Sequence, residues 1–128
     1  MIMAPGIGID MVEVARIARA IEKGGFKDRV FTPAEQAYCD SRGVQSILSY
    51  AARFAGKEAI LKAFGTGLRG GKLTEIEILP NELGAPIVTL SGYFAQFCRE
   101  QGITEIVISL SHDKTYAIAQ AMVWRDAK

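Results

Sequence analysis

The stretch from Ser46 to Phe64, SILSYAARFAGKEAILKAF, contains no proline and one glycine among strong helix formers, and it runs into Gly65-Thr66-Gly67. Glycine just past a helical pattern is the usual stop signal, so one long helix over 46–64 is expected, the longest in the chain. Within it, Glu58 and Lys62 are four residues apart and share a face with Phe54, while Ala55 and Ala59 beside them leave room for another element to approach. Taken alone, Glu58 and Lys62 read as a surface pair in its favourable orientation, worth about a few tenths of a kcal/mol. Other groups have to join them before they carry chemistry.

The segment before this helix supplies candidates. Ile7 and Ile9 alternate with Gly6, Gly8 and Asp10, the period of a short strand whose second face is nearly bare backbone, so that a ligand or helix can come near. Val14, Ile17, Ala18 and Ile21 fall at helical spacing and Gly24-Gly25 supplies a stop, which predicts an amphipathic helix over 11–23 with Arg16, Arg19 and Lys23 on its outer face. Thr32-Pro33-Ala34-Glu35 has the form of a capping box with proline at the first helical position, opening a short helix to about Arg42.

The second half changes character. TEIEIL, Ile87 to Leu90, TEIVISLSH and TYAIAQAMVW read as four strands, and Ser91 to Gln101 reads as a helix with Tyr93, Phe94, Phe97 and Cys98 as its apolar stripe, stopped by Gly102. Helices first and hairpins later indicate an α+β fold, with a mostly antiparallel sheet packed on the long helix. With 128 residues, 49% of them apolar, a single folded domain over 1–128 is expected.

Lys plus Arg number 15 against 14 Asp plus Glu, a net charge of +1, which argues against a nucleic-acid binder. Cys39 and Cys98 follow no metal-ligand spacing and are expected as reduced thiols packing their helices. No apolar run approaches the roughly 20 residues of a membrane helix. MIMAPGIGID also lacks the marks of a signal peptide, so a cytoplasmic protein that spans no membrane is expected.

Asp10 is open to two readings. With Glu13 it resembles a capping box for the first helix. Its carboxylate can also join Glu58 around one hard cation, and one oxygen can cap while the other reaches the metal. Gly65, Thr66 and Gly67, followed by Arg69, Gly70, Gly71 and Lys72, form a flexible loop with basic residues that suits phosphate oxygens, although a glycine helix stop explains it equally. His112, the one histidine, ends a strand, where either a structural hydrogen bond or a phosphate contact is expected. The basic stripe of Arg16, Arg19 and Lys23 would steer an acidic helical partner.

In order along nearly the whole chain, GIGIDMVEVARI, RFAGKEAILKAFGTG and ISLSHDKTYAIAQA resemble the holo-(acyl-carrier-protein) synthases, the small phosphopantetheinyl transferases of fatty-acid synthesis. The central F-x-x-K-E-A-x-x-K-A-F-G-T-G block carries most of the specificity. The resemblance implies an α+β homotrimer in which coenzyme A, the donor, lies in a cleft between subunits with Mg²⁺ on its pyrophosphate. On that reading the coenzyme also accounts for the bare glycine face. The resemblance further implies that Asp10 and Glu58 hold the Mg²⁺ and that, with Lys62, they are the catalytic groups. Phe54, Lys62, Gly65, Thr66, Gly67 and His112 would surround the coenzyme, and Arg16, Arg19 and Lys23 would dock the acyl carrier protein. A serine hydroxyl of that partner would attack the β-phosphorus, its proton passing to Glu58 or to a water held by the carboxylates.

A rival reading from another class is a non-catalytic module that binds an acidic protein through the Arg16 helix. It leaves Asp10, Glu58 and Lys62 without a common purpose. An RNA-binding domain would want aromatic residues on its sheet face, and Tyr116 and Trp124 are too sparse.

Overall fold

The structure, a computed structural model, describes residues 3–126. Its strands are β1 (Met3–Glu13), β2 (Ile76–Pro80), β3 (Pro86–Leu90), β4 (Ile103–His112) and β5 (Tyr116–Asp126). Its helices are α1 (Val14–Ile21), α2 (Phe26–Val30), α3 (Pro33–Asp40), α4 (Ser46–Phe64) and α5 (Gly92–Gln101). β1, β5 and β4 form an antiparallel sheet in that order, and β2 and β3 form a separate antiparallel hairpin. The α+β class and the four later strands stand as the sequence indicated, and α2 is an addition to it.

α4 is the centre of the molecule, and thirteen of its residues are buried because it is covered on more than one side. On one side it lies on β1 and β5, where the residues beneath it are Gly6, Gly8, Ala117, Ala119 and Ala121. A methyl group added at Gly8 would collide with the backbone of Ala59, and one at Gly6 with the carbonyl of Ala63. The bare glycine face is therefore taken up by α4 and not by a coenzyme, which corrects the expectation above. Elsewhere Gly56 lets the side chains of Ile78 and Leu110 close in from β2 and β4. Ile60, Ile76, Ile78 and Phe94 are fully buried around this helix, each burial contributing about 1.5–3 kcal/mol.

The limits of β1 and α1 differ from the sequence reading. β1 continues through Met11, Val12 and Glu13, which pair with Ile118, Ala117 and Tyr116, so α1 begins only at Val14. Pairing with β5 outcompetes the local capping pattern: the residue before α1 is Glu13, it makes no side-chain cap, and Asp10 is in mid-strand opposite Ala119. The capping reading of Asp10 is thereby overturned. Lys23 lies beyond the end of α1 but stays exposed with Arg16 and Arg19. In α5, Phe94 and Cys98 are buried as expected while Tyr93 is exposed.

The box at Thr32 forms as read. Thr32 Oγ1 accepts from the Glu35 amide at 3.1 Å and Glu35 Oε1 accepts from the Thr32 amide at 2.9 Å. Both cysteines are free and buried, and burial pushes each thiol up to about 11.

Candidate functional site

β1 runs along one edge of its sheet beside α4, which brings Asp10 to Glu58 and Lys62. Lys62 Nζ donates to the Ile9 carbonyl at 2.9 Å and to Asp10 Oδ1 at 3.1 Å. The ion pair of Lys62 is thus made across to the strand, not along the helix to Glu58. An ammonium has three donors, so one N–H of this side chain, 55% exposed, stays open to a ligand. Burial above all, and then the charge of Asp10, raise the proton affinity of Glu58, with Lys62 acting in the opposite sense.

Two carboxylates beside a single lysine, with the charge of Glu58 disfavoured by burial and by Asp10, make a hard-oxygen donor set that a small divalent cation would relieve. Among the described residues no group of three or more His, Cys, Asp or Glu side chains gathers anywhere. A cation here would have to complete its shell from water and ligand oxygens, which is the habit of Mg²⁺.

Glu58 forms part of the wall of a cleft of about 700 Å³. Phe26, Phe54, Leu68 and Leu73 supply apolar walls and Lys72 a cation. Phe54 packs on Phe26 with ring centroids 6.1 Å apart. Gly65 and Gly67, at φ 82° and 63°, turn the chain off α4 so that Leu68 reaches the cleft, and Thr66 Oγ1 donates to the Gly67 carbonyl at 2.8 Å. The glycine turn is therefore a helix stop that also shapes one wall.

Behind this cleft lies a group the sequence reading passed over. Lys57 is fully buried, and its Nζ donates to Glu35 Oε1 at 2.7 Å, to the Val30 carbonyl at 2.6 Å and to the Leu73 carbonyl at 3.0 Å. Glu35 Oε2 in turn accepts from the Ile78 amide at 2.7 Å. Val30 and Leu73 both line the cleft, so Lys57 fixes two of its walls from within the core. The signal was present: a charge in a helix that is apolar nearly all round has to find partners.

The structure does not bring His112 to this group. β1 and β4 are opposite edges of the sheet, with β5 between them, and His112 at the end of β4 pairs with Ala117. There it lines a second, smaller hollow with Tyr38, Arg42, Ser49, Arg53 and Pro86. Arg42 and Arg53 were not singled out from the sequence, although Arg53 is a second charge inside the apolar helix. Its side chain is held by the Ile78 carbonyl, to which Nε donates at 3.0 Å. The hollow therefore combines two guanidinium groups and an imidazole, a set suited to phosphate.

A model of the 4'-phosphopantetheinyl transferase superfamily matches residues 6–121. A relative from Ruminiclostridium cellulolyticum, a holo-[acyl-carrier-protein] synthase, is 50% identical over 120 residues, covering 91% of this chain and 90% of its own. The structure of a Bacillus anthracis holo-(acyl-carrier-protein) synthase in complex with CoA (3',5'-ADP) superposes with a TM-score of 0.80 at 31% identity, covering 98% of this chain and all of that one. An ACPS-CoA complex from Chronobacterium ammoniagenes gives a TM-score of 0.85 at 28% identity, over 97% and 99% of the two chains.

Proposed function

We infer the chemistry of this chain from its family: it belongs to the 4'-phosphopantetheinyl transferase superfamily, and it is a holo-(acyl-carrier-protein) synthase. It moves 4'-phosphopantetheine from coenzyme A to a serine of apo acyl carrier protein, leaving 3',5'-bisphosphoadenosine. A non-catalytic docking module is not favoured.

The site assignments are proposals, and one observation carries them: Asp10, remote in sequence, is brought to Lys62 and Glu58 on α4, and Glu58 lines the cleft. Asp10 and Glu58 would hold Mg²⁺, which when bound supplies charge neutralisation for the pyrophosphate. Lys62 keeps Asp10 in place with one donor on its carboxylate and one on the Ile9 carbonyl, and offers the third to a phosphate oxygen. The serine oxygen forms its bond to the β-phosphorus as the bond from that phosphorus to the bridging oxygen breaks, and the oxygen leaves with the bisphosphoadenosine. The serine proton goes to Glu58, directly or through water, because burial raises the proton affinity of its carboxyl.

Coenzyme A carries one phosphate remote from its pyrophosphate, at the 3' position, and the hollow of Arg42, Arg53 and His112 suits it. That hollow lies across the sheet from Glu58 within one chain, so a single coenzyme would join the Glu58 edge of one copy to the His112 edge of another. The outer sheet face supports association, since Ile7, Ile9, Met11, Val107, Tyr116 and Ile118 are all exposed on it. A trimer closed by threefold symmetry is the assembly we propose. Arg16, Arg19 and Lys23, exposed together, would meet the acidic carrier protein. No helix of the described residues is long and apolar enough to cross a membrane, and a cytoplasmic location goes with this reading.

Intact-mass analysis of apo acyl carrier protein after incubation with enzyme and coenzyme A tests the metal reading. The mass of the acceptor should rise by one phosphopantetheine with Mg²⁺ and not after its chelation; a full rise in chelator overturns the Mg²⁺ assignment. Dilution tests the shared site: specific activity should fall as the assembly dissociates, and a fully active monomer would refute it.

A further inference from the structure

We propose that Tyr38 is a positioning residue, its ring fixing the two guanidinium groups of the basic hollow for phosphate binding; this rests on the reading of that hollow as the seat of the 3'-phosphate. Tyr38 lies on α3, and its ring faces both arginines at short range: the Arg53 guanidinium carbon is 4.6 Å from the ring centroid and that of Arg42 is 5.6 Å away. Both fall within the distance at which a cation is drawn to an aromatic face.

The two arginines need such a support for different reasons. Arg53 is only 6% exposed, and protein carbonyls engage its Nε, at Ile78, and its Nη1, at Ser49 with a long 3.4 Å contact. A guanidinium has five N–H donors, so most of its fork faces the hollow without a protein acceptor. The Tyr38 ring lies against this guanidinium. Arg42 is exposed, on the turn after α3, and among the described residues its side chain has no hydrogen bond or ion pair; its contact with Tyr38 keeps it at the hollow. The Tyr38 hydroxyl likewise makes no hydrogen bond among the described residues, so the ring and not the hydroxyl should carry the effect.

The test compares coenzyme A with dephospho-coenzyme A, which lacks the 3'-phosphate, as donors for Tyr38→Leu, Tyr38→Phe and His112→Ala. Cation–π attraction of the usual size corresponds to a change of about 2- to 30-fold. Tyr38→Leu should raise the KM for coenzyme A within that range, leave kcat and the Mg²⁺ dependence alone, and leave the KM for dephospho-coenzyme A nearly unchanged. Tyr38→Phe should restore the wild-type KM. An exposed His112→Ala, which reports on the hollow itself, should show the same donor selectivity. If His112→Ala does not alter the KM for coenzyme A, the hollow is not the phosphate seat and the inference falls with it. If His112→Ala is selective while Tyr38→Leu matches the wild type, impairs both donors equally, or is not rescued by Tyr38→Phe, the hollow stands and the positioning role is overturned.

Discussion

Lys57 and Glu58 are adjacent on α4 and point about 100° apart around it. Lys57 is sealed in the core, with Glu35 and two backbone carbonyls satisfying all three donors. Glu58 opens into a cleft, faces a second carboxylate, and has neither a hydrogen bond nor an ion pair among the described residues. A charge whose partners are complete can only hold the fold together, and a charge left incompletely paired is available for a ligand. The lysines divide in the same way, since Lys62 keeps a free donor at the surface and Lys57 does not.

The largest effect expected is on turnover. Glu58→Gln should lower the transfer rate by about 10²- to 10⁴-fold, the usual scale for losing a group that handles a proton, while leaving the melting temperature at or slightly above wild type. Near-normal rates at limiting Mg²⁺ would end the contrast.

Next in size is Lys57→Met, which leaves the Glu35 carboxylate buried without its cation and should cost about 3–5 kcal/mol of stability. Denaturant unfolding measures this. Adding Glu35→Leu should recover part of the loss, though not the amide bonds that Glu35 accepts from Thr32 and Ile78. The rate per folded molecule should fall far less than in Glu58→Gln, and an equal fall would erase the distinction between the neighbours.

A smaller effect concerns pH. The Glu58 carboxyl binds its proton more tightly in the folded chain than the ordinary 4.5. Between 4.5 and the raised value the folded state therefore holds more protons than the unfolded one, and the contribution of Glu58 to stability of the metal-free protein declines as pH rises through that window. Glu58→Gln should abolish this part of the pH dependence. Activity at limiting Mg²⁺ should move the opposite way, falling as the pH is lowered through the window. A pH–stability curve unchanged in Glu58→Gln would contradict the burial-driven shift.

The mildest change should come from Arg16→Glu, which reverses a charge exposed on α1. We expect a severalfold rise in the KM for acyl carrier protein, strongest at low salt, with the KM for coenzyme A unchanged. Movement of the coenzyme constant alone would remove the docking role from α1.

Local patterns in the sequence determined the elements whose causes are local. Helix 46–64 follows from its composition and the glycines after it, the Thr32 box from four consecutive residues, and the strands from alternation. The central motif pointed to the family and so to Asp10, Glu58 and Lys62, which the fold does bring together. The tertiary structure decided everything that turns on partners remote in sequence. Glu35 reads as a helix cap, yet a lysine 22 positions away makes it a buried counterion as well. β1 runs past Asp10 because β5, more than a hundred residues further on, offers a ladder stronger than a local cap. The glycines of β1 read as room for a ligand, and only the path of α4 shows that a helix backbone fills it. Arg42, Arg53 and His112 come from three separate segments and share no local pattern, so only folding assembles them into one hollow.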